Sequence, residues 1–122
     1  MIEAVFEELS VKQDVFAAIE PHLAEDAILA TNTSSLSVND IGAKLTHPER
    51  LVGFHFFNPV AVMPLVEVVN APMTNDVTVA TAMAIAKELG KAAVMTTDSP
   101  GFVVNRLLAR LLGEAMHAVD LG

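Results

Sequence analysis

Along the chain, short apolar runs alternate with longer stretches whose apolar residues recur at helical spacing. Met1 to Phe6 reads as a β-run, and Ser10 then predicts the N-cap of a helix carrying Val11, Val15, Ile19 and Leu23 at every fourth position. Ala27 to Thr31 is a second apolar run. It ends in the polar stretch Asn32-Thr33-Ser34-Ser35, after which Ser37 predicts the cap of a short helix reaching about Leu45. Leu51 to Phe57 predicts a third strand, broken by Asn58-Pro59, and Leu65 to Val69 a fourth, broken by Asn70-Ala71-Pro72. A helix starting at Asn75 or Asp76 places Val79, Ala82, Met83, Ala86 and Leu89 on one side and stops at Gly90. Lys91 to Thr97 is a fifth strand. Beyond the turn Asp98-Ser99-Pro100-Gly101, a long helix from about Phe102 carries Val103, Leu107, Leu111 and Ala115 along one side.

The order β-α-β-α-β-β-α-β-α predicts an α/β sheet with ligands beyond the carboxyl ends of its parallel strands. A hydrophobic content of 52% and a mean hydropathy of +0.49 sharpen this to a buried parallel sheet with helices on both faces. Seven basic against fifteen acidic residues leave a net charge of -8, which repels phosphate backbones and anionic lipid. Neither nucleic acid nor a membrane is therefore expected as partner. The absence of cysteine excludes a disulfide frame, a thiolate nucleophile and thiolate-held metals, and agrees with a cytoplasmic location. The N-terminal residues show neither a basic leader nor a long apolar run. A strand-like beginning and a helix-like finish at Ala118 to Gly122 predict a piece of a larger protein.

Four polar groups sit at or just beyond the ends of apolar runs: Ser34, His55 with its neighbour Asn58, Glu67, and Asn105. Phe54, Phe56 and Phe57 flank His55, so partial desolvation favours a neutral imidazole able to accept a proton, and a nearby carboxylate opposes that bias. Glu67 on the next strand can meet His55 through a hairpin-like return and stabilise the imidazolium formed on proton uptake. Two other readings stand beside this dyad: a hydrogen-bonded core histidine, and a glutamate on an edge strand facing water. Ser34 and Ser35 also suit a turn, and Asn105 suits the first turn of a helix. His22, His47, His55 and His117 lack ligand spacing, so no protein-held metal is expected. A G-x-S-x-G elbow, a Walker loop and a G-x-G-x-x-G fingerprint are all missing. If a dinucleotide binds, its pyrophosphate cradle lies outside this chain.

Several blocks together resemble the L-3-hydroxyacyl-CoA dehydrogenases of fatty-acid β-oxidation: Ile2-Glu3-Ala4-Val5-Phe6-Glu7 with Val11-Lys12, Thr31-Asn32-Thr33-Ser34-Ser35, Gly53-Phe54-His55-Phe56-Phe57-Asn58-Pro59-Val60, Met63-Pro64-Leu65-Val66-Glu67-Val68, and Ser99-Pro100-Gly101-Phe102-Val103-Val104-Asn105-Arg106. The resemblance spans essentially the whole chain. It implies a partial Rossmann-like NAD-binding domain, its C-terminal half over residues 1–98, followed over 99–122 by the first helix of an all-α, dimer-forming domain. By the same resemblance His55 is the catalytic base, Glu67 the carboxylate that orients it, and Ser34 and Asn105 the side chains that hold an acyl-CoA substrate. Val5, Phe6, Glu7, Lys12, Ser34 and Asn58 are implied to line NAD. The glycine loop of that family has no counterpart here, and Lys12, Lys44 and Arg50 are scattered rather than gathered for the CoA phosphates. Weak NAD binding and little turnover are expected of this polypeptide alone. The alternative is an inactive fragment that self-associates through its C-terminal helix and sheet edge.

Overall fold

The computed structural model describes residues 1–121, which form one five-stranded sheet covered by helices. In chain order the elements are β1 (Ile2–Glu3), α1 (Leu9–Ile19), β2 (Leu29–Thr31), α2 (Val38–Ile41), β3 (Leu51–Phe56), β4 (Leu65–Asn70), α3 (Asp76–Glu88), β5 (Ala92–Thr97) and α4 (Val104–Leu121). The strands lie in sequence order, a Rossmann-like half-sheet, but the sheet is mixed rather than purely parallel. β1, β2 and β3 run parallel, β4 returns antiparallel to β3, and β5 is parallel to β4. The carboxyl ends of β1 to β3 and the amino end of β4 therefore share one edge.

Strand alternation sorts the core into two layers. Leu29, Leu51 and Val69 face Phe16 of α1, Val38 and Ile41 of α2, and Phe102. Ala30, Val52, Phe54, Val66 and Val68 face Val79, Ala82 and Ala86 of α3, whose small side chains let that helix lie close to the sheet. Gly53 sits where a Cβ would come 2.6 Å from the Val69 Cβ, so glycine is required for the β3–β4 approach. Asn75 caps α3 by accepting the Thr78 N–H, and Gly90 ends it with φ +69, both as expected.

Several boundaries differ from expectation for local reasons. β1 ends at Glu3 because its carboxylate accepts the Val5 N–H at 2.6 Å and draws the chain out of the ladder. The N-cap of α1 is Glu8, not Ser10, whose hydroxyl lies within the helix and donates to the Glu8 carboxylate. The anticipated stripe Val11, Val15, Ile19, Leu23 is only half-buried; Lys12, Phe16 and Glu20 turn inward instead. Hydrophobic periodicity misses this face because two of those three residues are charged, each held by partners distant in sequence. Phe102 is not helical: it sits at φ +48 in the turn before α4. α4 buries none of its residues, and Leu107 and Leu111 are 66% and 67% exposed. Among the described residues no helix is long and apolar enough to cross a membrane.

Candidate active site

β3 and β4 pair so that His55 lies directly opposite Glu67. Both point into the layer beneath α1 and α2, since Phe54, Val66 and Val68 occupy the other face. His55 Nδ1 and Glu67 Oε2 are 2.7 Å apart, and the residues are 4% and 1% exposed. The second carboxylate oxygen, Oε1, accepts the N–H groups of Val103 and Val104 at 2.9 Å each. A carboxylate held by those two donors is an acceptor, so Nδ1 carries the proton toward it, and in the neutral ring that tautomer leaves the lone pair on Nε2. The rings of Phe57 and Phe102, with centroids 4.6 and 5.6 Å from the imidazole, limit its rotation.

Contacts continue outward from this pair. Next along α4 from Val104, Asn105 donates from Nδ2 to the Ser34 carbonyl at 3.4 Å. Ser34 in turn is fixed by Glu7, whose Oε1 accepts the Thr33 hydroxyl (2.6 Å), the Ser34 N–H (2.7 Å) and the Ser35 N–H (3.2 Å). Asn32 closes the loop on β3 by accepting the Phe56 N–H at 2.9 Å. A single relay thus links His55, Glu67, the first turn of α4, Asn105, Ser34 and Glu7. Val5 and Phe6 stand exposed beyond the end of β1, Phe6 at 84%, and Asn58 is exposed just after β3.

Lys12 departs from the expectation that its side chain lines a cofactor. It is fully buried, with Nζ 2.8 Å from Glu3 Oε1, 3.3 Å from Glu7 Oε2 and 3.4 Å from the Val5 carbonyl. Its bearing on any ligand runs through the Val5 to Glu7 segment that it braces. Glu3, whose other oxygen accepts the Thr31 hydroxyl, completes this cluster, and an acid inside an apolar run is the same signal that singles out Glu67. The N–H groups of Val103 and Val104 leave no mark on sequence because they are backbone donors, and the Thr33 hydroxyl gains its role only from Glu7, far away in sequence. Among the described residues no cluster suited to a metal ion occurs.

Two carboxylates are tuned by their surroundings. Desolvation pushes Glu7 upward, but hydrogen bonds from Thr33 and Ser34 and the Lys12 charge outweigh it and leave Glu7 below its ordinary value of 4.5. Glu20 follows the same pattern: desolvation is overcome by the Thr46 and His47 N–H groups and by Arg50. Since both are lowered on folding, the stability they contribute is complete above 4.5 and is lost as pH falls through the lower folded values. The melting temperature is therefore expected to hold from neutral pH to the ordinary carboxylate range and then drop. A Glu20→Gln chain should melt lower at neutral pH and lose less on acidification; an acid limb as steep as that of the parent would refute the assignment.

The sequence profile of the family described as 3-hydroxyacyl-CoA dehydrogenase, NAD binding domain, matches residues 1–99. The chain belongs to the 3-hydroxyacyl-CoA dehydrogenase family. It is 48% identical over its whole length to the fatty acid oxidation complex subunit alpha of Idiomarina loihiensis, and spans 17% of that relative. The crystal structure of 3-hydroxybutyryl-CoA dehydrogenase from Escherichia coli K12 superposes with a TM-score of 0.94 at 40% identity, covering 98% of this chain and 25% of the other. That of (S)-3-hydroxybutyryl-CoA dehydrogenase from Ralstonia eutropha gives 0.93 at 40% identity, covering 99% and 44%. The chain thus spans less than half the length of each of these relatives.

Proposed function

We propose that the protein carrying this chain is an NAD-dependent dehydrogenase of fatty-acid β-oxidation, acting in the cytoplasm to interconvert L-3-hydroxyacyl-CoA and 3-oxoacyl-CoA. The observation that carries this reading is the buried His55–Glu67 pair at the ligand-binding edge of the sheet. In the oxidative direction His55 Nε2 takes the proton of the substrate's 3-hydroxyl, and Glu67 stabilises the imidazolium that results. Ser34 and Asn105, joined by a hydrogen bond, present a hydroxyl and an amide that hold the substrate oxygens near the reacting carbon. NAD, when bound, supplies the hydride acceptor. Val5, Phe6, Glu7, Ser34 and Asn58 suit its nicotinamide end: an exposed aromatic and an ordered carboxylate stand at the carboxyl ends of parallel strands. No glycine loop for the pyrophosphate lies in these residues, so the chain alone binds NAD weakly and turns over little.

Residues 1–98 constitute the later half of the dinucleotide-binding domain and 99–122 open a helical domain through which the protein forms a homodimer. The bare apolar side of α4 supports this division. The test is direct. Completed to the length of its relatives, the protein should consume NADH on addition of acetoacetyl-CoA; failure to do so with correctly folded protein overturns the reading.

A further inference from the structure

The structure assigns Arg106 and Arg110 as a clamp for an oxyanion carried by the acyl thioester, either a phosphate of its CoA carrier or a carboxylate on its acyl chain. This rests on the dehydrogenase reading and adds a recognition site to it. Four residues apart on α4, the two arginines line one cleft with Ser34, Ser35, Gly101 and Asn105. The cleft thus begins at the residues that hold the substrate near its reacting carbon and runs along α4 for about 1.5 Å per residue.

Of the five other lysines and arginines, all but the exposed Lys87 of α3 meet partners among the described residues, and Lys87 lines no cleft with the substrate-holding side chains. Lys12 meets Glu3, Lys44 meets Asp14, Arg50 donates to the Ala24 and Glu25 carbonyls, and Lys91 to those of Val60 and Met63. Arg106 and Arg110 are exposed, and their side chains make no hydrogen bond or ion pair among the described residues. Like charges at this helical spacing repel slightly, so the two arginines do not stabilise each other. The acid beside the cleft, Glu7, is already matched by Lys12 and by the Thr33, Ser34 and Ser35 donors, and Glu114, one turn beyond Arg110 on α4, makes no ion pair with it. The first N–H groups of α4 are taken by Glu67 and do not serve the anion. Two guanidinium groups lining one cleft suit a phosphate or a carboxylate.

The cleft lies wholly within the 122-residue chain, so calorimetric titration of that chain tests it. Acetoacetyl-CoA should bind with an affinity that falls as salt rises, and the Arg106→Gln/Arg110→Gln chain should bind about tenfold or more weakly. The Arg106→Lys/Arg110→Lys chain should keep the salt dependence. A second arm uses S-acetoacetyl-pantetheine, which lacks phosphate, and a third a pantetheine thioester whose acyl chain ends in a carboxylate. An arginine effect seen only with the CoA thioester identifies the phosphate as the anion, and one seen with the carboxylated pantetheine identifies the carboxylate. No binding of either thioester by the unaltered chain, or a glutamine variant of unchanged circular dichroism that binds both acetoacetyl-CoA and the carboxylated pantetheine as the unaltered chain does, overturns the clamp. The dehydrogenase reading stands or falls separately, on NADH consumption by the completed protein.

Discussion

His55→Gln is expected to lower kcat about 10²- to 10⁴-fold in the protein completed to the length of its relatives, while the affinity for NADH stays the same. Glutamine fills much of the imidazole's place and can still face Glu67, but it has no basic nitrogen to receive the hydroxyl proton. The loss belongs to the transition state, so acetoacetyl-CoA should show a changed kcat with little change in KM. Glu67→Gln should fall in the same direction for a different reason. Its amide offers one acceptor oxygen where His55 Nδ1 and the Val103 and Val104 N–H groups together ask for two. Full activity in the His55→Gln protein would remove the base from the mechanism.

The second large effect concerns stability. Lys12→Met is expected to cost about 3 to 5 kcal/mol, because it strands Glu3 in the interior without its cation. Small domains are stable by only about 5 to 15 kcal/mol in total, so urea unfolding followed by circular dichroism should show a much lower midpoint. A double variant with Glu3→Gln should recover part of the loss, since the amide can keep its bond from Thr31 without a buried charge. An unchanged midpoint in Lys12→Met would mean that the ion pair contributes nothing to folding.

Most of the architecture was legible because the apolar run Leu65 to Val69, capping at Ser37 and Asn75, and the stop at Gly90 are local signals that packing leaves intact. The antiparallel return of β4 was only half visible: a short connection after Asn58-Pro59 suggests a reversal, while the high apolar content argued for an all-parallel sheet. α1 was the clearest error. Its inward face mixes Phe16 with Lys12 and Glu20, and whether a charge points inward depends on partners from Glu3 and Thr46 that lie far away in sequence. At the site, His55 and Glu67 could be paired from their flanking residues, as could the polar end of β2. The role of Glu7 in holding the Ser34 loop, and of Glu67 in anchoring α4, depends on backbone N–H groups brought in by the fold. The arginine pair gains meaning only from the fold, which brings the first turns of α4 against Ser34 and Ser35 at the polar end of β2.

The cross-strand placement of the base and its carboxylate has a consequence for how such a chain tolerates change. Insertions or deletions in the connection between Phe57 and Pro64 leave the ladder as it is and should be nearly silent for the pair. One residue gained or lost inside β3 or β4 would slip the register, swing Glu67 round to the methyl groups of α3 and leave the imidazole unsupported, with every other strand still in place.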